Sequence, residues 1–532
     1  MPARFAHPRT KILLSTLPML LFLLWPPVQA DRPAIWGNLA PGSHPVGFKV
    51  FASVDASRTM PLVTGTDGPA EYGPRTVRIY VWYPATAGTG SVLRVGDYAH
   101  MAAEDFALIS RDAIIEVRGL PLPVPLAKGV EIERQQEILE SVGFAMRDAQ
   151  PDPIRRPLLL VGQGLYYESP LTQFILCEYM ASHGYVVATC PLVGTHTRLV
   201  NLNVVDLETE VRDLEFILAQ ARKLEYVDQD ELGVIGYDLG GMAGLLLTMR
   251  NPDVDAFLSL DAGILSLHFS GLPNNHPSYA ADKFRAPWMH MTQARFVPAD
   301  RTDDASATLF DRKQYADSYL LLFNTISHGS FTSYANFGIT AAVPGYWGPI
   351  SDDGRRISLA IGSYARDFFD AYLKGDRKAR DRLSKAPSEF GLDDVITRLE
   401  RRPTSDTPAP HRDELVQVMI ERGMDAAAPV IASARASYPD SLLFDEGVLN
   451  WLGYHFLYWW GRKEDAVGVF ELNADIHSES GNAYDSLGEA YAALGNHEKA
   501  LDSYRRSLEL NPANANAAQM IERLEASAGP SE

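Results

Sequence analysis

Cysteine is nearly absent. Two residues in 532, Cys177 and Cys190, are too few for a disulfide scaffold or a cysteine-ligated zinc cluster. Both fall on apolar segments, which suits buried thiols better than a bridge. Basic charge is also short. With 48 Lys and Arg against 67 Asp and Glu, the net charge is −19, the wrong sign for a nucleic-acid partner. His268, His276 and His290 lack metal-ligand spacing, and the sequence implies neither metal nor cofactor. Long apolar runs are scarce too: mean hydropathy is −0.12, and one stretch alone raises the membrane question. Arg4, Arg9 and Lys11 precede an apolar run from Ile12 to Trp25, after which Pro26-Pro27 lead to Ala30. That run is shorter than the roughly 20 residues a spanning helix needs. A basic start, an apolar core and a small residue at the end form a secretory signal peptide. The sequence therefore predicts cleavage after Ala30, export to the periplasm or medium, and no membrane anchor in the mature chain.

What is present is ordinary globular material, 46% hydrophobic and 22% charged. Residues 31–376 read as one α/β domain. Strands are expected at Pro45–Phe51 and Thr76–Tyr83, then at Pro157–Gly162, Tyr185–Thr189, Leu232–Gly236, Ala256–Asp261, Trp288–Met291 and Tyr319–Asn324. Helices are expected near Leu171–Ser182, Val204–Leu224, Gly241–Arg250 and Ser358–Leu373. Buried runs such as Leu158-Leu-Leu-Val alternating with helices predict a doubly wound, mostly parallel sheet. Residues 86–150, with a helix expected around Ile132–Arg147, read as an insertion able to overhang a site. Residues 377–411, charged and carrying Pro403, Pro408 and Pro410, read as a linker. From 412 to 532 the pattern is helical. Gly461, Ala466 and Phe470 recur 34 residues later as Gly495, Ala500 and Tyr504, a spacing similar to the tetratricopeptide repeat. Such arrays bind peptides, so a protein partner is expected there. Trp459 and Trp460 are expected to fill gaps between repeats.

The chemistry concentrates in Gly236-Tyr-Asp238-Leu-Gly240-Gly241, where a buried strand meets an apolar helix. Glycines two residues either side of an apex residue allow the sharp nucleophile elbow of α/β-hydrolases. Partners must follow in the order acid, then histidine. His328 lies just beyond the last parallel strand. Asp261 ends the strand after the elbow, whereas Asp300, Asp303 and Asp304 follow the next one, leaving the acid open.

The region from Pro45 to Asp376 resembles the platelet-activating-factor acetylhydrolase-like and dienelactone-hydrolase-like α/β-hydrolases. The matching residues are Asp55-x-Ser57-Arg58, Val81-Trp-Tyr-Pro84, Gly162-Gln-Gly-Leu165, Gly236-x3-Gly240-Gly241, Leu260-Asp261, His328-x2-Phe331 and Phe368-Phe-Asp-x-Tyr-Leu-Lys-Gly-Asp376. The resemblance implies Asp261 as the acid and backbone N–H groups of Leu165 and Leu239 as oxyanion donors. The chain departs from the family at the apex, where Asp238 replaces serine.

Serine must lose a proton before attacking, whereas aspartate, with a reference pKa of about 3.9, is an anion at neutral pH. It can displace a leaving group from a saturated carbon to give an alkyl-enzyme ester, which His328, oriented by Asp261, hydrolyses with water. Dehalogenases and epoxide hydrolases of this fold look like that arrangement. Leu239, however, stands where the dehalogenases' halide-holding tryptophan would follow the nucleophile. Two functions follow: hydrolysis of a small-molecule substrate through Asp238, or a catalytically silent hydrolase fold that binds or scaffolds through its repeats.

Overall fold

The computed structural model describes residues 33–62, 71–109, 114–117, 120–123, 131–165, 169–266, 268–297, 301, 308–313, 315–324, 326–337, 354–404, 412–437 and 444–527. The expected signal peptide lies outside them. The chain enters with an antiparallel pair, β1 (Val46–Pro61) and β2 (Tyr72–Pro84). Short strands β3 (Ser91–Arg94), β4 (Ile114–Val117), β5 (Leu120–Pro123) and β6 (Val142–Arg147) follow. The parallel core then consists of β7 (Arg156–Gly162), β8 (Val186–Thr189), β9 (Val227–Tyr237), β10 (Ala256–Leu260), β11 (Trp288–Gln293) and β12 (Ser318–Phe323).

With β13 (Ile396–Arg402), the eleven-stranded sheet runs β13-β12-β11-β10-β9-β7-β8-β2-β1-β6-β3, and β4-β5 form a separate hairpin. Period-two side-chain alternation makes both faces core. Leu159, Val161, Ile235 and Tyr237 enter one apolar cluster, while Leu158, Leu160, Leu232 and Val234 enter the other. Cys177 and Cys190 are buried and free, one in each cluster. Strand order reverses at β7, which has β8 on one side and β9 on the other. A crevice beyond the strand ends at such a reversal is where doubly wound sheets hold ligands.

Three expectations need correction. The helix expected over Ile132–Arg147 stops at Glu140, and Val142–Arg147 turns into β6 beside β1. Gly143 permits the close approach there, since a Cβ would sit 2.8 Å from Glu178 Oε1. The described part of residues 86–150 extends the sheet through β3 and β6 at the edge remote from β9 and β10, so these strands do not overhang a site there. Residues 377–402 are not linker. The helix Arg377–Leu383 and β13 belong to the α/β domain, with β13 pairing antiparallel to β12. The charged Ile-Thr-Arg-Leu-Glu-Arg-Arg of β13 is what an exposed edge strand requires.

Glu178 ties the first segments to the core. Fully buried, it accepts hydrogen bonds from Trp36 Nε1, the Tyr98 hydroxyl, and the Phe144 and Ala145 N–H groups. Burial raises its pKa against the opposing pull of these donors. Glu178→Leu strands all four and is expected to destabilise the fold, at about 1–3 kcal/mol for each buried donor left unsatisfied. Urea melting of the variant checks this.

The C-terminal part is a helical array with its own core cluster. It comprises Arg412–Ser437, kinked at Gly423, then Glu446–Tyr454, Lys463–Ile476, Gly481–Leu494, His497–Leu510 and Ala515–Ser527. Trp459 and Trp460 are exposed rather than packed between repeats. No helix among the described residues is long and apolar enough to cross a membrane.

Candidate active site

The elbow forms because three backbones meet where side chains cannot fit. A Cβ on Gly236 would lie 2.4 Å from the Gly240 carbonyl oxygen, and one on Gly240 would lie 2.2 Å from the Gly162 carbonyl carbon. Gly240 N–H donates to the Gln163 carbonyl at 2.8 Å, locking the loop after β7 against the start of the helix Leu239–Arg250. Asp238 sits at the apex with φ 51° and ψ −120°. Such a conformation costs a non-glycine residue about 1–3 kcal/mol and clusters at functional sites.

Asp238 points back over that loop, and its Oδ2 accepts the Leu165 N–H at 2.9 Å. Leu239, the other expected donor, is the first residue of the helix and fully buried. No hydrogen bond joins its N–H to Asp238 Oδ2 in this state. His328 Nε2 lies 3.8 Å from the same Oδ2, an ion-pair distance rather than a hydrogen bond.

Asp261, directly after β10, also has positive φ, at 44°. Its buried carboxylate is fully used. Oδ1 accepts from the Thr292 hydroxyl at 2.7 Å and Gln293 N–H at 3.1 Å, and Oδ2 accepts from Gln293 Nε2 at 2.6 Å and pairs with His328 Nδ1 at 2.8 Å. Tyr237 stacks against the imidazole, with centroids 4.7 Å apart, and its hydroxyl donates to the His328 carbonyl. The structure therefore brings Asp238, Asp261, His328 and Leu165 together. Asp300, Asp303 and Asp304 lie outside the described residues.

Thr292, Gln293 and Tyr237 escape a sequence reading. The Leu260↔Met291 register alone brings Thr292 and Gln293 to Asp261, and no local motif announces it. The Asp55-x-Ser57-Arg58 motif proves to be a clamp. Asp55 accepts from the Ser57 N–H and hydroxyl and pairs with Arg58, which reaches Asp213. Gly194–Arg198 closes on itself through the Gly194 N–H to Arg198 carbonyl bond. No group of three or more potential ligands holds a metal-like cluster among the described residues.

Electrostatics follow from the two carboxylates. Burial disfavours a charged His328, but Asp238 and Asp261 outweigh it and push the imidazole pKa up to about 10. Burial works against the Asp261 anion as well, yet its bonds from His328, Thr292 and Gln293 hold its pKa below the usual carboxylate range. Because His328 titrates higher folded than unfolded, its contribution to stability is complete below about pH 6.5. It is lost as pH rises through about 10. Histidine ring 15N NMR should find His328 protonated at pH 8. In Asp238→Asn one carboxylate becomes a neutral amide, and the midpoint should move down toward the ordinary histidine range.

Residues 480–514 match the tetratricopeptide repeat family. No curated protein matches in sequence. The chain is similar in structure to the ferulic acid esterase from Streptomyces cinnamoneus, at 20% identity and a TM-score of 0.43, over 64% of this chain and 93% of that one. An elbow after β9, an acid after β10 and a histidine after β12 make the sheet an α/β-hydrolase fold, followed by a helical array with a tetratricopeptide repeat.

Proposed function

We propose that this chain is an exported hydrolase in which Asp238 displaces a leaving group from a saturated carbon and water then regenerates it. The observation that carries this reading is the hydrogen bond from Leu165 N–H to Asp238 Oδ2. In a serine esterase that donor waits for the substrate's carbonyl oxygen. Here it holds an oxygen of the attacking residue, the one that becomes an oxyanion when water adds to an ester at Asp238.

In the first step Asp238 Oδ1 bonds to the substrate carbon, and the leaving group departs with its electron pair. Asp238 is now a neutral ester. His328 then faces one carboxylate instead of two, so its pKa falls and it releases its proton to the leaving group or solvent. Neutral Nε2 next takes a proton from water, whose oxygen adds to the Asp238 carboxyl carbon. The Leu165 N–H, with Leu239 N–H as the second donor, stabilises the charge on Oδ2. Collapse breaks the bond from Asp238 to Oδ1, which leaves with the substrate carbon as an alcohol and takes the proton from His328. The group resembled in sequence, the acetylhydrolase-like and dienelactone-hydrolase-like enzymes, supports Asp261 as the acid holding Nδ1. Attack by Asp238 on an ordinary ester carbonyl gives a reactive anhydride instead, a poorer route.

The test is a panel of haloalkanes, epoxides and activated esters. Halide or diol release that Asp238→Ala abolishes is expected. Turnover of esters alone, unaffected by Asp238→Ala, contradicts the reading. With Leu165 N–H already engaged, an incoming ester carbonyl finds that donor taken, which is a further reason to expect haloalkanes or epoxides rather than esters as substrates.

A further inference from the structure

The helix Glu446–Tyr454 continues into a π-helix, His455–Trp459. Trp451, Tyr458, Trp459 and Trp460 are 56%, 61%, 78% and 42% exposed. His455 links the three tryptophans, its ring 3.8 Å from that of Trp451, 5.8 Å from that of Trp459 with planes only 10° apart, and 5.9 Å from that of Trp460. Tyr458 stacks instead on Tyr454, with ring centroids 5.9 Å apart. π-helical turns are frequent at functional sites, and grouped exposed aromatics mark contact surfaces.

The repeat supplies an internal control. Thirty-four residues on, the positions of Tyr458, Trp459 and Trp460 hold Ala492, Ala493 and Leu494, at the end of the helix Gly481–Leu494. The array's own packing is satisfied there by two alanines and a leucine, so the three large rings exceed what the fold needs.

Charge identifies the occupant. From residue 412 onward there are nine basic and twenty acidic side chains, a net −11 that supplies more than half of the chain's −19. The Tyr458 and Tyr454 hydroxyls donate to Glu489, which sets a carboxylate at the tyrosine side of this surface. The two neighbouring cations are already occupied, Arg462 by Asp465 and Lys463 by the Ala493 carbonyl. Aromatic faces attract cations through the ring quadrupole, and the surrounding carboxylates add steering. The same negative field repels a second copy of the chain and anionic lipid headgroups.

We propose that this aromatic face docks an arginine- or lysine-rich segment of a partner protein. The probe is a labelled peptide of alternating arginine and glycine, with its glutamate–glycine counterpart as control, titrated against the whole mature chain. Binding of the arginine peptide only, weakened by added salt, is expected. The combined variant Tyr458→Ala, Trp459→Ala and Trp460→Leu, which gives the first repeat the side chains the second already tolerates, should weaken binding at least about tenfold. Glu489→Gln, which keeps every ring, should weaken it to a lesser extent and keeps the test valid if the combined variant does not fold. Equal binding of both peptides, binding of neither, or undiminished binding by both variants overturns the proposal. So does binding to phosphatidylcholine–phosphatidylglycerol vesicles in place of the peptide, or a dimer in sedimentation that the combined variant abolishes, since each gives the face to another occupant.

Discussion

His328→Gln is expected to accumulate an alkyl ester on Asp238 while steady-state turnover falls at least about 10²-fold, the lower range for loss of a general base. The two steps need different things from His328. Displacement requires Asp238 Oδ1 and a leaving group, and Oδ2 stays held by Leu165 N–H whether or not the imidazole is present. Hydrolysis requires a base at Nε2, which glutamine cannot supply. Intact mass of the variant with a turned-over haloalkane or epoxide should rise by the alkyl group, and peptide mapping should put the increase on the peptide containing Asp238. Glutamine also removes the partner of the Asp261 carboxylate, but Thr292 and Gln293 retain that residue, so the fold should survive.

Asp238→Ser should have the opposite character, a gain of function. Serine leaves Leu165 N–H free for a substrate carbonyl oxygen. It also removes one of the two carboxylates that hold His328 protonated, and the imidazole becomes a competent base nearer neutral pH. Activated esters should then be hydrolysed at least about 10³-fold above the uncatalysed rate, the level that an oxyanion hole and binding sustain even in a crippled triad. Serine, like aspartate, puts a Cβ at the apex φ of 51°, so the substitution replaces one strained side chain by another of smaller size. A folded variant with no ester activity would show that the loop after β7 does not serve as an oxyanion hole.

The legible parts of the sequence were those where one local cause dominates. Continuous apolar runs announced β7, β9 and β10, and the glycine spacing around Asp238 announced the elbow, because steric exclusion there allows little else. The period of 34 announced the repeat later matched at residues 480–514. Elements defined by partners distant in sequence were not legible. β13 has the charged composition of a linker and becomes a strand because β12 offers it an edge. Val142–Arg147 looks like the end of a helix, but pairing with β1 and the Glu178 carboxylate hold it extended. Thr292 and Gln293 are anchors of Asp261 only through the β10–β11 register. Trp459 and Trp460 were expected to pack between repeats and are exposed instead, since an aromatic residue in a helical array can serve its surface as well as its core.

The aspartate mechanism is tested most directly by a single turnover in 18O-water, with enzyme in excess over a substrate found on the panel. If water attacks the ester at the Asp238 carboxyl carbon, the labelled oxygen enters the carboxylate, and the alcohol carries away an unlabelled oxygen from Asp238. The peptide containing Asp238 should therefore gain the mass of one 18O for 16O exchange while the first-turnover product stays unlabelled. Label in the first-turnover product, with none in that peptide, would mean that water attacks the substrate directly with Asp238 as base, and would contradict the nucleophile assignment.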